Sequence, residues 1–276
     1  MSERILLSTE ECKKRLLGIL VVIDEICKRN NIKYYLAYGT LLGAVRHKGF
    51  IPWDDDIDIV LMRKDYERLI EVLRSQNSFS WLKLIDYQCE GYFYPFAKAV
   101  DNRTIAKMED NTTVHGLWID IFPLDNVPDS EVECQGYLKR CKFLRALTIA
   151  MTTDFKTITN KLSSKSTVKL LLNGLAVCIG KYKIADYMIR LMQKYKSKNT
   201  ENVCVLFSIY IMKEKIRRED LTDTIYTEFE GYSFPIPANY DIYLSKMYGN
   251  YMQLPPIEKR RTHSITAWEI KNEGVS

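Results

Sequence analysis

The stretch Ile51-Pro52-Trp53-Asp54-Asp55-Asp56-Ile57-Asp58-Ile59-Val60-Leu61 places four carboxylates within five residues and then runs straight into an apolar, β-branched segment. Two like charges about 4 Å apart repel by roughly 1 kcal/mol in water and about 4 kcal/mol at an effective dielectric of 20. A chain that gathers acids at the mouth of a strand therefore needs a cation or a raised pKa to offset the repulsion. Strand alternation sets Asp56 and Asp58 on one side and Ile57 and Ile59 on the other. Two carboxylates at i and i+2 form a hard-oxygen site suited to Mg²⁺ beside a phosphate. The competing reading is a solvated acidic turn ahead of an ordinary strand. A calcium loop of EF-hand type over Asp54, Asp56 and Asp58 fails, because Ile59 stands where its sharp turn needs glycine and strand-formers follow.

The residues upstream favour the cation site. Ile32 to Tyr38 reads as a strand, Gly39-Thr40 follows directly, and Leu41 to Gly49 reads as a short helix with a basic end. A glycine at a strand-to-helix turn lets backbone approach a ligand, and a helix N-terminus offers free N–H groups to an anion. Arg46, His47 and Lys48 add positive charge near the same loop, with His47 either on a phosphate or capping the helix. An anion cradle thus precedes a cation site, the pairing that a nucleotide phosphate and its metal require.

The string from Tyr38-Gly39-Thr40-Leu41-Leu42-Gly43 through Trp53-Asp54-Asp55-Asp56-Ile57-Asp58-Ile59 closely resembles the signature of the LicD family of phosphotransferases. The resemblance continues through Phe96-Ala97-Lys98-Ala99-Val100-Asp101-Asn102-Arg103-Thr104 and Leu117-Trp118-Ile119-Asp120-Ile121-Phe122-Pro123-Leu124-Asp125, and returns weakly from Tyr248-Gly249 to His263. Its best-known members are cholinephosphotransferases that decorate bacterial teichoic acids and lipopolysaccharide. It implies an α+β fold: a nucleotidyltransferase-like mixed sheet with flanking helices, a Gly-Thr loop, an Asp-x-Asp strand and a third carboxylate from a neighbouring strand. Asp56 and Asp58 occupy the pair positions. Asp120, in a strand-like apolar setting where a carboxylate is costly without a partner, is the candidate third. These three are the expected catalytic and metal-holding residues, with Mg²⁺ as cofactor and Mn²⁺ as its alternative. Asp54 and Asp55 either hold the loop or meet solvent.

The same resemblance implies CDP-choline or a similar CDP-alcohol as donor and a lipid-linked glycan precursor of teichoic acid or lipopolysaccharide type as acceptor, with CMP released. Gly39, Thr40, Arg46, His47, Lys98, Arg103 and His263 are the expected substrate contacts. Lys98 lies in an aromatic and apolar strand, so its ammonium faces something negative, either a phosphate or Asp101. Arg103 serves either end of the same pocket, and His115 reads as a surface turn residue. The alternatives are the same fold with CDP-ribitol or an NTP as donor, and a non-catalytic binding protein.

The 276 residues divide into an expected nucleotidyltransferase-like core over 1–127 and a mainly helical lobe over 128–276 whose C-terminal segment returns to the active site. Residues 131–200 hold fourteen Lys and Arg against four Asp and Glu, in a chain whose net charge is only +5. Such a lobe suits an anionic bilayer surface or an anionic glycan precursor; the other reading is a bundle with a solvated basic face. No nucleic-acid motif is present, so nucleic acid is not an expected partner. The N-terminus leads into only a brief apolar patch and predicts no signal peptide. The longest greasy stretch, Leu170 to Gly180, is too short to span a bilayer. Seven cysteines without C-x-x-C spacing predict reduced thiols. Together these predict a cytoplasmic protein, at the inner face of the plasma membrane if the basic lobe binds there. Asn111-Thr112-Thr113 matches a glycosylation sequon, which matters only on secretion.

Locally, Ser8-Thr9-Glu10-Glu11 predicts a capping box opening a helix to about Lys28. Lys64 to Arg74 predicts another, striped by Tyr66, Leu69, Ile70 and Leu73. Strands are expected near Trp81–Asp86, Tyr92–Val100, Arg103–Lys107 and Leu117–Phe122, with Pro123 and Pro128 ending the sheet. Asn239 is expected to cap a helix that stops at Gly249.

Overall fold

A computed structural model describes residues 3–75, 79–108, 115–152, 164–260, 262 and 265–271. The expected α+β architecture with a mixed sheet is present. The chain opens with β1 (Glu3–Leu6) and α1 (Thr9–Arg29). Ser8 and Glu11 close the predicted capping box, each side chain satisfying the other residue's backbone N–H. Leu16, Ile19, Leu20 and Ile23 recur at helical spacing and are almost wholly buried, a stripe worth about 1.5–3 kcal/mol for each aliphatic side chain removed from water. Leu17 and Val21 lie at its margin.

Next come β2 (Tyr35–Leu36), α2 (Tyr38–His47), β3 (Asp58–Met62), α3 (Arg63–Ser75), β4 (Leu82–Ile85), β5 (Ala97–Met108) and β6 (His115–Asn126). The sheet runs β1-β11-β5-β6-β3-β2, where β11 is Ile265–Lys271, and β4 extends along β5 beside β11. Only β3 and β6 run parallel; the other pairs are antiparallel. Ile59, Ile119, Ile121, Ala97 and Ala99 are fully buried and share one core with α1.

Two expectations fail for identifiable reasons. The strands near Tyr92–Val100 and Arg103–Lys107 are one long strand beginning at Ala97, its register broken between Asp101 and Ala106. Pro123 does not end the sheet, because β6 continues to Asn126. Proline removes a backbone donor; β5 last pairs with β6 at Ile121, so Pro123 has only β3 beside it, opposite Leu61.

The remaining described chain comprises α4 (Glu131–Thr152), α5 (Ser164–Ile179), α6 (Lys181–Met192), β7 (Asn202–Cys204), β8 (Ile216–Arg217), the hairpin β9 (Thr224–Phe229) and β10 (Tyr232–Pro237), and α7 (Tyr240–Tyr248) before β11. Asn239 stands at the N-cap of α7, though without a side-chain capping bond, and Gly249 ends the helix. Helices α4 to α6 bury Tyr137, Leu138, Leu144, Met188 and Met192 in a second core that includes Phe96 and Phe207. β7 joins this half to the sheet by pairing Cys204 with Asp125 and Val203 with Asn126. All seven cysteines are free thiols, with only Cys178 exposed. Among the described residues no helix is long and apolar enough to cross a membrane.

Arg63 at the start of α3 ties β3 to the far end of β6. Its Nε and Nη2 donate to Asp125 Oδ1 and Oδ2 at 2.7 and 2.6 Å, and the Asp125 side chain is only 2% exposed. Removing one member of a buried pair strands the other charge, at a cost of about 3–5 kcal/mol. Urea denaturation should show a loss of this size for Arg63→Met, with much of it recovered in the Arg63→Met/Asp125→Leu double variant.

Candidate active site

The parallel register of β3 and β6 sets Asp58 directly opposite Asp120, and adjacent strands lie only about 4.8 Å apart. On the other edge of β6, antiparallel pairing sets Lys98 opposite Asp120. Lys98 Nζ donates to Asp120 Oδ1 at 2.5 Å and lies over the Trp118 ring, 4.3 Å from its centroid. The negative partner of Lys98 is therefore Asp120. Asp101 is engaged instead by Arg103 and Arg15.

Asp58 is 9% exposed. Burial pushes its carboxyl well above the usual carboxylate range, and the charges of Asp56, Asp120 and Asp54 push the same way while Lys98 opposes them. The strand begins at Asp58 rather than before Asp56, so Asp56 sits in the entering loop. It nevertheless acts on Asp58 more strongly than the other acids. Thr40 Oγ1 accepts the Asp58 N–H at 2.9 Å, and the Ala37 N–H donates to the Asp58 carbonyl at 3.0 Å.

The Gly39-Thr40 pair lies inside the first turn of α2, one residue past the expected strand-to-helix junction. The helix starts at Tyr38, which holds a positive φ of 46°, and Ala37 at the N-cap supplies no capping side chain. Gly39 is required by proximity: a Cβ there would overlap Asp54 Oδ2. Asp54 thus folds over Gly39, and Asp55 Oδ2 accepts the Ile265 N–H at 3.3 Å, anchoring the acidic loop to β11.

Arg46 and His47 lie at the far end of α2, about 10 Å along the helix axis from Gly39. The loop after α2 folds back so that the His47 ring meets Trp53 edge-on at 6.4 Å. Arg46 donates to His47 Nε2 and to the Tyr251 carbonyl. Burial lowers the pKa of both residues, with Arg260 adding to the effect on Arg46, and Arg46 to that on His47. Arg260 stacks on Trp53 with its guanidinium 4.4 Å from the ring centroid. A basic group therefore stands over the residue next to Asp54.

Arg103 does not join this assembly. It lies five residues along β5 from Lys98, roughly 17 Å for an extended strand, bonded to Asp101 and stacked on Trp81. His115 is not a free surface residue. It packs edge-on against Trp118, and burial, with Lys98 adding to it, pushes its pKa down to about 4. His263 and the Asn111-Thr112-Thr113 sequon lie outside the described residues. Among the described residues, no three His, Cys, Asp or Glu side chains are spaced to hold one metal ion together. Lys98 Nζ occupies one Asp120 oxygen.

Sequence reasoning passed over Arg260 and the buried Glu214. Arg260 was legible only as one of a basic pair before His263. Glu214 stands in the charged run Lys213-Glu214-Lys215-Ile216-Arg217-Arg218-Glu219-Asp220, which has the composition of a solvated segment.

Comparison with known proteins bears on the family of the chain. Residues 31–170 match the family model described as "LicD/FKTN/FKRP, nucleotidyltransferase domain". The chain is 32% identical over 263 residues to the lipopolysaccharide cholinephosphotransferase LicD of Haemophilus influenzae, covering 90% of this chain and 93% of that one. Uncharacterised proteins of Rickettsia prowazekii and Rickettsia typhi are 55% and 53% identical over 49 residues, 18% of this chain. With half of its length on the family model and nearly all of it on a relative of the same kind, the chain belongs to the LicD family.

Proposed function

We propose that this protein transfers phosphocholine from CDP-choline to a sugar hydroxyl of a cell-surface glycan precursor, of lipopolysaccharide or teichoic acid type, releasing CMP. The observation that carries this reading is the buried Asp58 beside Asp56, across the β3–β6 ladder from Asp120 and its Lys98 partner. Asp58 carries three unfavourable acidic neighbours and one favourable cation, so a divalent ion between it and Asp56 would relieve a repulsion already built in. Mg²⁺ suits such a place, because it is commonly held by one or two carboxylates with substrate phosphates and water completing its shell. When bound, it would neutralise charge on the pyrophosphate and orient it.

The chain's own groups divide the remaining work. The open first turn at Gly39-Thr40 offers backbone N–H groups to the pyrophosphate. Arg46 and Arg260 around Trp53 supply positive charge on its flank, with the neutral His47 ring as a contact between them, and Lys98 supplies it from β5. Asp120, with Oδ1 on Lys98, would take the proton of the acceptor hydroxyl through Oδ2 as general base. In-line attack at the choline-bearing phosphorus forms the new P–O bond as the bond to CMP breaks. Positioning and charge stabilisation supply most of the acceleration in such transfers.

The direct assay is CMP release from CDP-choline in the presence of Mg²⁺ and a sugar acceptor. Asp58→Asn should lower turnover by at least about a hundredfold while the variant melts near wild type, and removal of Mg²⁺ with EDTA should do the same. Turnover unaffected by both changes would end the reading. Gly39→Ala, which drives a methyl group into Asp54, should lower turnover at least about tenfold without lowering the midpoint of urea unfolding by more than about 1 kcal/mol equivalent.

The acceptor is expected at a cytoplasmic membrane surface. Helix α5 contains no Asp or Glu and leaves Val168, Leu171, Leu175 and Val177 exposed, within the basic 131–200 region. An apolar stripe of Val168, Leu171 and Leu175 beside Lys169, in a strongly basic region, suits shallow burial among anionic headgroups. Co-sedimentation with phosphatidylglycerol vesicles, weakened by salt and by Leu171→Asp, is the expected result; equal recovery with neutral and anionic vesicles would remove the membrane contact.

A further inference from the structure

Glu214 is 1% exposed, one of the most thoroughly buried charged side chains described. Its Oε1 accepts the Tyr38 hydroxyl at 2.5 Å and the Tyr243 hydroxyl at 3.4 Å, whereas Oε2 is buried without a hydrogen-bond partner. The Ser208 hydroxyl stands near the carboxylate, with Oε2 still unmatched. Among the described residues no cation forms an ion pair with it. Lys246 donates instead to the Lys215 carbonyl. Burial pushes the Glu214 pKa up to about 8, the neighbouring hydroxyls and Lys246 only partly opposing it. An orphaned carboxylate oxygen in such a place is costly unless something positive meets it.

What surrounds Glu214 is aromatic. The Tyr38 ring lies 6.4 Å from Tyr210, 6.5 Å from Tyr243 and 5.7 Å, edge-on, from Phe122, and Tyr210 meets Tyr248 at 5.9 Å. Tyr38 reaches this position with a left-handed backbone, a genuine outlier for a bulky residue. Glu214 and Tyr243 also line a cavity of about 330 Å³ whose inner walls include Ala37, Leu41 and Val60. That volume lies within the range of small-ligand pockets.

The cavity and the acidic site belong to one face of the sheet. Val60 follows Asp58 by two residues on β3, Phe122 follows Asp120 by two on β6, and the two are register partners. Side chains at i and i+2 share a face about 6.5 Å apart. Both Tyr243 and Tyr248 carry hydroxyls whose pKa is raised by burial first, and then by the charges of Asp58 and Glu214 among others. The carboxylates and the tyrosines therefore lie toward one face of the sheet, with Val60 and Phe122 between them.

We infer that Glu214, with Tyr243 on the cavity wall and the adjoining ring of Tyr38, forms the receptor for a quaternary ammonium head, the alcohol end of the donor. The assignment rests on the phosphocholine-transfer reading for its biological ligand, though not for its chemistry. Aromatic faces attract cations, most strongly where water is excluded, and tetraalkylammonium groups are their characteristic guests. A quaternary nitrogen donates no hydrogen bond, so it can match Oε2 electrostatically within an apolar wall where a primary ammonium would demand donors' partners. The basic residues at the cavity's outer rim are mostly occupied elsewhere: Lys215 with Glu131, Arg217 with Glu219 and Asp220, and Lys246 with a carbonyl.

The test is binding, independent of turnover. Choline chloride and its uncharged isostere 3,3-dimethylbutanol are titrated into the full-length protein at about pH 8.5, where Glu214 is ionised in larger part, with ligand-detected NMR as readout. Wild type should bind choline at least about tenfold more tightly than the isostere. Glu214→Gln, which keeps the shape and can still accept the Tyr38 hydroxyl, should erase that preference. Tyr243→Leu, which leaves the carboxylate in place, should weaken choline binding as well. Equal binding of choline and the isostere by wild type, or an unchanged preference in Glu214→Gln, overturns the inference, and it does so even if CMP release from CDP-choline is observed. Choline binding that depends on Glu214 without any CMP release upholds the receptor and removes the transfer reading.

Discussion

Everything at the candidate site depends on the parallel ladder between β3 and β6. It is the only parallel pairing in the described sheet, and it sets Asp58 against Asp120 with neither free to withdraw. The repulsion this creates is offset on the far edge of β6, where antiparallel pairing brings Lys98 onto Asp120. Burial of Asp58 magnifies the repulsion it feels from Asp56, Asp120 and Asp54, because the surrounding dielectric is low. The Arg63–Asp125 pair secures this ladder at its other end, so the sheet cannot relax the acids apart by sliding.

The acidic loop needs three separate anchors to hold its shape. Asp54 covers Gly39, Asp55 accepts from Ile265 of β11, and the Lys48–Phe50 backbone is bonded to Glu230 in the β9–β10 turn. The last two of these anchors come from segments more than a hundred residues downstream. They give the C-terminal half a direct structural part in the site, although its residues supply few of the recognisable motifs. Trp53 adds a fourth hold through His47 and Arg260, and in doing so gathers positive charge beside the acidic loop.

Part of this could be read from residue order alone because the informative features are local. The Ser8–Glu11 capping box and the buried stripe of α1 are each contained within a few residues and predict their own geometry, whereas the Asp-x-Asp and Gly-Thr segments mark the place of the site but not its backbone: Asp56 precedes the strand and Gly39-Thr40 lies within the helix. Local patterns say less about partners. That Lys98 faces Asp120 rather than Asp101 follows from strand register, which residue order does not print, and so does the separation of Arg103 from Lys98 along one strand. Pro123 misled for a similar reason: its missing donor is harmless only because β5 has already parted from β6 at that level. Glu214 was the least legible of all, since six charged neighbours in sequence argue for solvent while tertiary packing carries it into the core.

The two buried carboxylates with raised pKa illuminate each other. Asp58 and Glu214 are both buried, both raised in pKa chiefly by desolvation, and both felt by Tyr243 and Tyr248. Each would be a liability in a purely structural core, where a hydrophobic residue of similar volume costs less than a lone acid. Their settings differ in a way that sorts their ligands. Asp58 sits among other hard oxygens beside backbone N–H groups, an environment for a small, strongly hydrated divalent ion and phosphate. Glu214 sits among phenol rings and aliphatic walls, an environment for a large, weakly hydrated cation. A molecule that carries a diphosphate and a quaternary ammonium two carbons apart would satisfy both at once.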